Sequence, residues 1–198
     1  MAHDQHPEKA QPLILASASP RRRVLLRTFG LPFRVVTPRV NETHDRRVPP
    51  AKLVQRNAVR KAEAAARALA SGVIVAADTL VVLDGRIFGK PRTARQADRM
   101  LRVLSGRTHR VYTGVCTLDL ARRRRYVDVA STRVTMRGLS DGQIRRYVRG
   151  RAPWDKAGAY AAQDMQRMLI DRVDGSLSNV VGLPLHLVER RLRQCGLL

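Results

Sequence analysis

Eleven residues near the middle of the chain, Val73 to Leu83, are apolar apart from Asp78 and Thr79. The run is too short to cross a bilayer, which takes about 20 apolar residues in a helix, and a carboxylate stands at its centre. It reads instead as a buried strand over 73–77 that ends in Asp78-Thr79. Residues 80–83 continue extended to an Asp84-Gly85 turn, and Arg86 to Phe88 return as a second strand.

Around this run strand-like and helix-like segments alternate, with no internal repeat or low-complexity linker, as in an α/β protein. Leu13 to Ala16 predicts a short buried strand. Ser19, Pro20 and the periodic Val24, Leu25 and Phe29, closed by Gly30, predict a helix with a marked start and stop. A strand over 33–37, a polar loop through Glu42 and His44, and a long helix over 50–70 follow. On that helix Val54, Ala58, Ala62, Ala65 and Leu69 form one stripe, and Arg56, Arg60, Glu63 and Arg67 the opposite face. Lys61 borders the stripe, so it either snorkels or reaches into a cleft, and the helix alone favours snorkelling. A helix over 93–104 capped by Thr93, a hairpin of strands 110–119 and 125–136, a helix over 140–148, a strand over 168–173 and a helix from Pro184 complete the pattern. The fold class is α/β, with a mixed sheet containing long strands.

The chain carries a formal net charge of +22 over 198 residues, which raises the question of phosphate-bearing partners. The basic residues are nearly all Arg, with five Lys, and they are scattered along the whole chain. Aromatic residues to stack on bases make up only 4%. The one dense run, Arg122 to Arg125, falls between two strands, where a hairpin turn would leave it solvated. Specific nucleic-acid binding is therefore not expected. Cys116 and Cys195 stand in no metal-ligand or redox spacing and read as packed thiols. The first residues have neither a basic start nor an apolar core, so they read as a loose tail on a cytoplasmic protein.

Chemistry concentrates where apolar segments end. Ala16-Ser17-Ala18-Ser19-Pro20-Arg21-Arg22 joins a strand to a helix N-terminus, where free N–H groups and the helix dipole favour an anion. The same segment can equally be a capped helix with surface arginines, and the Walker pattern G-x-x-x-x-G-K-[ST] is absent. Asp78 would cost several kcal/mol to bury without a partner, so it calls for a cation or hydrogen bonds. Taken with Glu42, Lys61 and Lys90 of Gly89-Lys90-Pro91, these residues suggest a pocket for phosphate and metal.

The blocks Ala16 to Arg22, Ala77-Asp78-Thr79, Lys90-Pro91, Leu104-Ser105-Gly106 to Val115, Asp155-Lys156-Ala157-Gly158-Ala159-Tyr160 with Gln163, and Asn179 to Leu185 occur in an order that resembles the Maf family of nucleoside triphosphate pyrophosphatases. The resemblance implies residues 1–11 as a tail and 12–198 as one domain, with two lobes around a cleft on a long twisted sheet, similar to inosine triphosphate pyrophosphatases. It implies hydrolysis of a nucleoside triphosphate to the monophosphate and pyrophosphate, a divalent cation such as Mg or Mn, and a homodimer. Asp78 matches the proton acceptor, and Glu42, Lys61 and Lys90 match polar residues of the cleft. The metal would fall to Asp78 and Glu42, and substrate to Ser17, Arg21, Arg22, Thr79 and Gln163. Arg21, Thr79 and Gln163 match the branch acting on dTTP and UTP, where a related branch acting on 7-methyl-GTP carries Trp, Gln and Glu. The chain departs from the pattern at Asn41 and at Asp164. Readings from other classes are an Arg-rich RNA-binding module or a division-related regulator without turnover.

Overall fold

A computed structural model describes residues 11–41, 45, 47–150, 157–160 and 169–198. In chain order they form β1 (Leu13–Ala16), α1 (Pro20–Arg27), β2 (Phe33–Val36), α2 (Pro50–Ala66), β3 (Val73–Leu83), β4 (Arg86–Phe88) and α3 (Ala94–Leu104). Then come β5 (Thr108–Asp119), β6 (Arg124–Met136), α4 (Asp141–Gly150), a 3₁₀ turn (Ala157–Ala159), β7 (Ile170–Asp174), α5 (Leu177–Val181) and α6 (Leu185–Gln194). One sheet runs β2-β1-β3-β5-β6-β7, with β4 added to β3. β1 lies parallel to β2 and β3, and the remaining pairs are antiparallel. This is the expected mixed α/β sheet with long strands.

Period-two alternation along β3 sorts its side chains to two faces. Ile74, Ala76, Leu80 and Val82 pack towards α2, with Val54, Ala58 and Ala62 opposite them. Val73, Val75 and Ala77 face the other way, into a core with Leu26, Leu183, Val188 and Leu192. Further along that second face, Val81, Val111, Val134 and Met136 meet α3 and α4 through Leu101, Leu104, Ile144 and Tyr147. Removing each large aliphatic side chain from water contributes about 1.5–3 kcal/mol, and β3 supplies such side chains to both faces of the sheet.

Several boundaries differ from the sequence pattern for local reasons. β3 does not end at Asp78 but runs unbroken to Leu83, because β5 pairs with it from Val73 to Val82. α2 stops at Ala66 rather than 70: the next turns tighten, with Ala68 N–H donating to Ala65 O and Leu69 N–H to Ala66 O, before Gly72 turns the chain at φ +120°. α5 lacks the length to show periodicity and announces itself only by caps, the Ser176 hydroxyl accepting from Asn179 N–H and Gly182 closing at φ +116°. At α3 the expected Thr93 cap accepts from Gln96 N–H at 3.1 Å.

The Arg run is not simply solvated. Arg122 donates from its backbone and side chain to the buried Asp119, both at 3.0 Å, and from its side chain to Cys195 O. Burial alone would push the Asp119 carboxyl up, and these Arg122 bonds hold it below the usual range. Arg125 pairs with Glu63 across to α2, and Arg190 and Arg191 together hold Asp128. Part of the basic excess is thus spent on fastening the hairpin to the helices. Both cysteines are packed thiols as expected, burial pushing Cys116 up to about 12 and Cys195 up to about 11.

Candidate active site

The site arises from a lapse in strand pairing. β1 accompanies β3 only as far as Ala16 opposite Ala76, and β4 takes up pairing at Val81 opposite Phe88. Because β5 occupies the other edge of β3, residues 77–80 have no strand among the described residues beside them on the β1 side. Asp78 and Thr79 therefore border an opening in the sheet without standing at the strand end that the sequence pattern suggests.

Alternation sends these two side chains to opposite faces. Asp78 turns to α2, where Lys61 Nζ donates to its Oδ1 at 2.6 Å and to Ala77 O at 3.3 Å. Asn57, one turn earlier on α2, donates from Nδ2 to Asp78 Oδ2 at 2.9 Å. Lys61 is 7% exposed and Asp78 4%, so the lysine does not snorkel; it is one half of a buried ion pair that also supplies a donor to an unpaired edge carbonyl. α2 lies close enough for this because Gly114, opposite Asp78 on β5, has no side chain: a Cβ there would stand 2.5 Å from the Val54 carbonyl group.

Thr79 turns to the other face and enters a chain of hydrogen bonds. Arg22 Nη2 donates to Thr79 Oγ1 at 3.0 Å, and Thr79 lies 3.0 Å from Thr113 Oγ1, which donates in turn to Asn179 O. Since the Thr113 proton is used on that carbonyl, Thr79 must donate to Thr113, and its hydroxyl presents only acceptor capacity elsewhere. Asn179 is fully buried on Val111 O and Thr132 Oγ1.

Ser17 leads β1 into α1, its hydroxyl accepting from Ser19 N–H at 3.2 Å and Arg22 Nη1 at 3.3 Å. Ser19 sits in the N-cap position without a side-chain cap bond of its own. Arg22 also donates from Nε to Gly182 O at 2.8 Å, so it braces the turn between β1 and α1, Thr79 and the end of α5 against one another. Arg22 also lines the cleft beside Arg21, so the same side chain borders the opening and ties its walls together. Arg21 faces the same opening, and Lys90 is exposed on its far rim, after β4.

The cleft so formed has a volume of about 1200 Å³ and takes in Ser17, Arg21, Lys61, Asp78, Thr79 and Lys90. Its apolar wall includes Phe88, Val111, Tyr160 and Val181. Tyr160 OH is hydrogen-bonded to His109 Nε2, and burial lowers His109 to about 4, so the ring is neutral at physiological pH. Glu42, Gln163 and Asp164 lie outside the described residues. Seven of the nine site candidates, Arg22 among them, thus border one cleft.

No group of three or more His, Cys, Asp or Glu among the described residues is placed to hold a metal. A hard cation such as Mg needs less than that, because it binds through one or two carboxylates plus substrate phosphates. Each Asp78 oxygen accepts one hydrogen bond of those found here and keeps a second lone pair. The donor chemistry therefore fits a cation carried with a phosphate substrate, and does not fit a closed protein cage.

Sequence reasoning did not single out Asn57, and it took in Thr113, Gly114 and Asn179 only as members of the blocks that carry the family resemblance, with no role for each. Two left a signal: Gly114 as an isolated glycine within a strand, and Asn57 as an amide four residues before Lys61 on the apolar side of α2.

A carboxylate at a gap in a mixed sheet, sharing a basic cleft with a strand-to-helix turn, suits a nucleotide hydrolase, and the chain belongs to the Maf family, whose model, described as Maf-like protein, matches residues 12–195. It is 48% identical over 184 residues to the dTTP/UTP pyrophosphatase of Moorella thermoacetica, covering 93% of this chain and 95% of that protein. It is 45% identical to the dTTP/UTP pyrophosphatase of Pelotomaculum thermopropionicum, covering 93% and 96%, and 44% identical to that of Geobacter sp. strain M21, covering 96% and 98%.

Proposed function

We propose that this protein is a nucleoside triphosphate pyrophosphatase that hydrolyses dTTP and UTP to the monophosphate and pyrophosphate. The observation that carries the chemistry is the buried Lys61–Asp78–Asn57 group opening into a basic cleft. The choice of substrate rests on full-length relatives of that name at 44–48% identity.

The reaction adds water to the α-phosphorus and breaks the bond between that phosphorus and the bridging oxygen, so pyrophosphate leaves with the bond's electrons. Asp78 accepts a proton from the water or orients it through a lone pair not used by Lys61 or Asn57. Lys61, Lys90 and Arg21 bear the charge that develops on the leaving pyrophosphate, and Ser17 with the α1 N-terminus receives phosphate oxygens. Asp78, together with Glu42, would hold a divalent cation, which when bound supplies further neutralisation of the phosphate charge. Arg22 holds Thr79 and the turn in place. Arg21, Thr79 and Gln163 are the positions at which the chain matches the branch acting on dTTP and UTP, and they would set the choice of base.

A panel of nucleoside triphosphates assayed for pyrophosphate, with and without Mg or Mn and with chelator, tests the reading. Release from dTTP and UTP that chelator abolishes is the expected result. Turnover of purine nucleotides alone would reassign the substrate, and no release from any nucleotide would remove the function.

Base selection is a separate test. Changing Arg21, Thr79 and Gln163 together to Trp, Gln and Glu should lower kcat/KM on dTTP and open activity on 7-methyl-GTP, because a carboxylate accepts from a purine donor edge but cannot donate to a pyrimidine carbonyl. Tryptophan adds a stacking face for the cationic base. A dTTP to 7-methyl-GTP ratio that stays within about threefold of wild type would place base choice elsewhere in the cleft.

A further inference from the structure

We propose that Asn57 is a positioning residue for the reaction, setting the rotation of the Asp78 carboxylate from behind; the inference rests on the reading of Asp78 given above. Asn57 is 1% exposed and does not line the cleft, so it cannot touch a substrate there. Its place on α2 is among Val54, Ala58 and Ala62, where the helix packs on the sheet. An apolar residue would serve that packing better, since a buried amide is costly unless its hydrogen bonds are met. The amide is met by Asp78 Oδ2 at 2.9 Å.

What the contact adds follows from the geometry of a carboxylate. The terminal torsion of aspartate is broad, so a single partner fixes one oxygen and leaves the plane free to turn about it. Lys61, on a flexible stem, holds Oδ1. Asn57 holds Oδ2, and because the two donors sit at i and i+4 on one rigid helix, they define the plane of the carboxylate together. The remaining lone pairs are thereby directed. A second lysine in place of Asn57 would bring a second cation against one carboxylate, whereas the amide directs it at no cost in charge. Gly114 completes the device, since it lets the α2 backbone rest directly on β5 opposite Asp78.

Asn57→Leu fills the space without a donor, and Asn57→Ser is small enough to fit but too short to reach. Both should lower kcat on dTTP about 10- to 100-fold, the scale on which a misplaced reacting group acts, with KM within about threefold of wild type. The control is Leu53→Ala, which opens a cavity in the same helix face away from Asp78 and should lower the melting temperature while keeping kcat within about threefold. In an Asp78→Asn background, read by single turnover at high enzyme concentration, Asn57→Leu should cause no further fall, because its target carboxylate is gone. An unchanged kcat in both Asn57 variants, a rise in KM that accounts for the loss, an equal loss in Leu53→Ala, or a full additional loss in the Asp78→Asn background would each overturn the positioning role. If wild type releases no pyrophosphate from any nucleotide, the functional reading fails and this role fails with it. Wild-type turnover with unaffected Asn57 variants overturns the role alone.

Discussion

Asp78→Asn should lower kcat on dTTP by about two to four orders of magnitude, the range expected when a general base is lost. The substitution is nearly isosteric, and the surrounding hydrogen bonds can be kept in number. The new amide oxygen still accepts from Lys61, and rotation of the Asn57 amide turns its own oxygen towards the new NH₂ group. What disappears is the negative charge and the lone pairs that take a proton from water. The variant loses some stability as well, since the Lys61 ammonium is left without its counter-charge. Rates are therefore to be compared at a temperature where circular dichroism shows both proteins folded. A variant that turns over dTTP within about threefold of wild type would show that Asp78 is not the base.

The order of strands and helices was largely legible because each long element carries its own period. The two-residue alternation of β5 and β6 and the stripe of α2 survive any tertiary context. Legibility failed where an outcome depends on what lies alongside. Nothing local distinguishes a strand that ends at Asp78 from one whose neighbour ends at Ala16, and only the register of β1 on β3 decides it. Lys61 is similar: its azimuth at the edge of the stripe suits snorkelling, and it is buried only because an acid on a strand 17 residues later stands within 2.6 Å. The bracing contacts of Arg22 were equally out of reach: its place beside Arg21 is local, but its partners Thr79 and Gly182 come from distant segments. Asn57 was invisible for the same reason, since a single amide on an apolar stripe acquires meaning only opposite Asp78.

Lys61→Ala separates the two lysines of the site, which the sequence treats alike. Lys61 and Asp78 are both almost wholly buried, and removing one member of such a pair leaves the other charge without compensation. That costs about 3–5 kcal/mol, equivalent to a fall of roughly 6–20 °C in melting temperature for a chain of this size. The loss of rate should reach about a hundredfold, because Asp78 loses the donor on Oδ1 and the leaving group a cation. Lys90 is exposed on the rim, so Lys90→Ala should slow turnover while shifting the melting temperature by no more than about 2 °C. The decisive comparison is the double variant Lys61→Ala with Asp78→Asn. With no charge left buried, it should melt above Lys61→Ala alone, a non-additivity that lost packing of the lysine stem cannot produce. Scanning calorimetry on the three proteins measures it. A Lys61→Ala protein that melts within about 2 °C of wild type, or a double variant that melts as far down as the two single losses summed, would mean that the ion pair contributes nothing to the fold, and that Lys61 is held for its charge in the cleft alone.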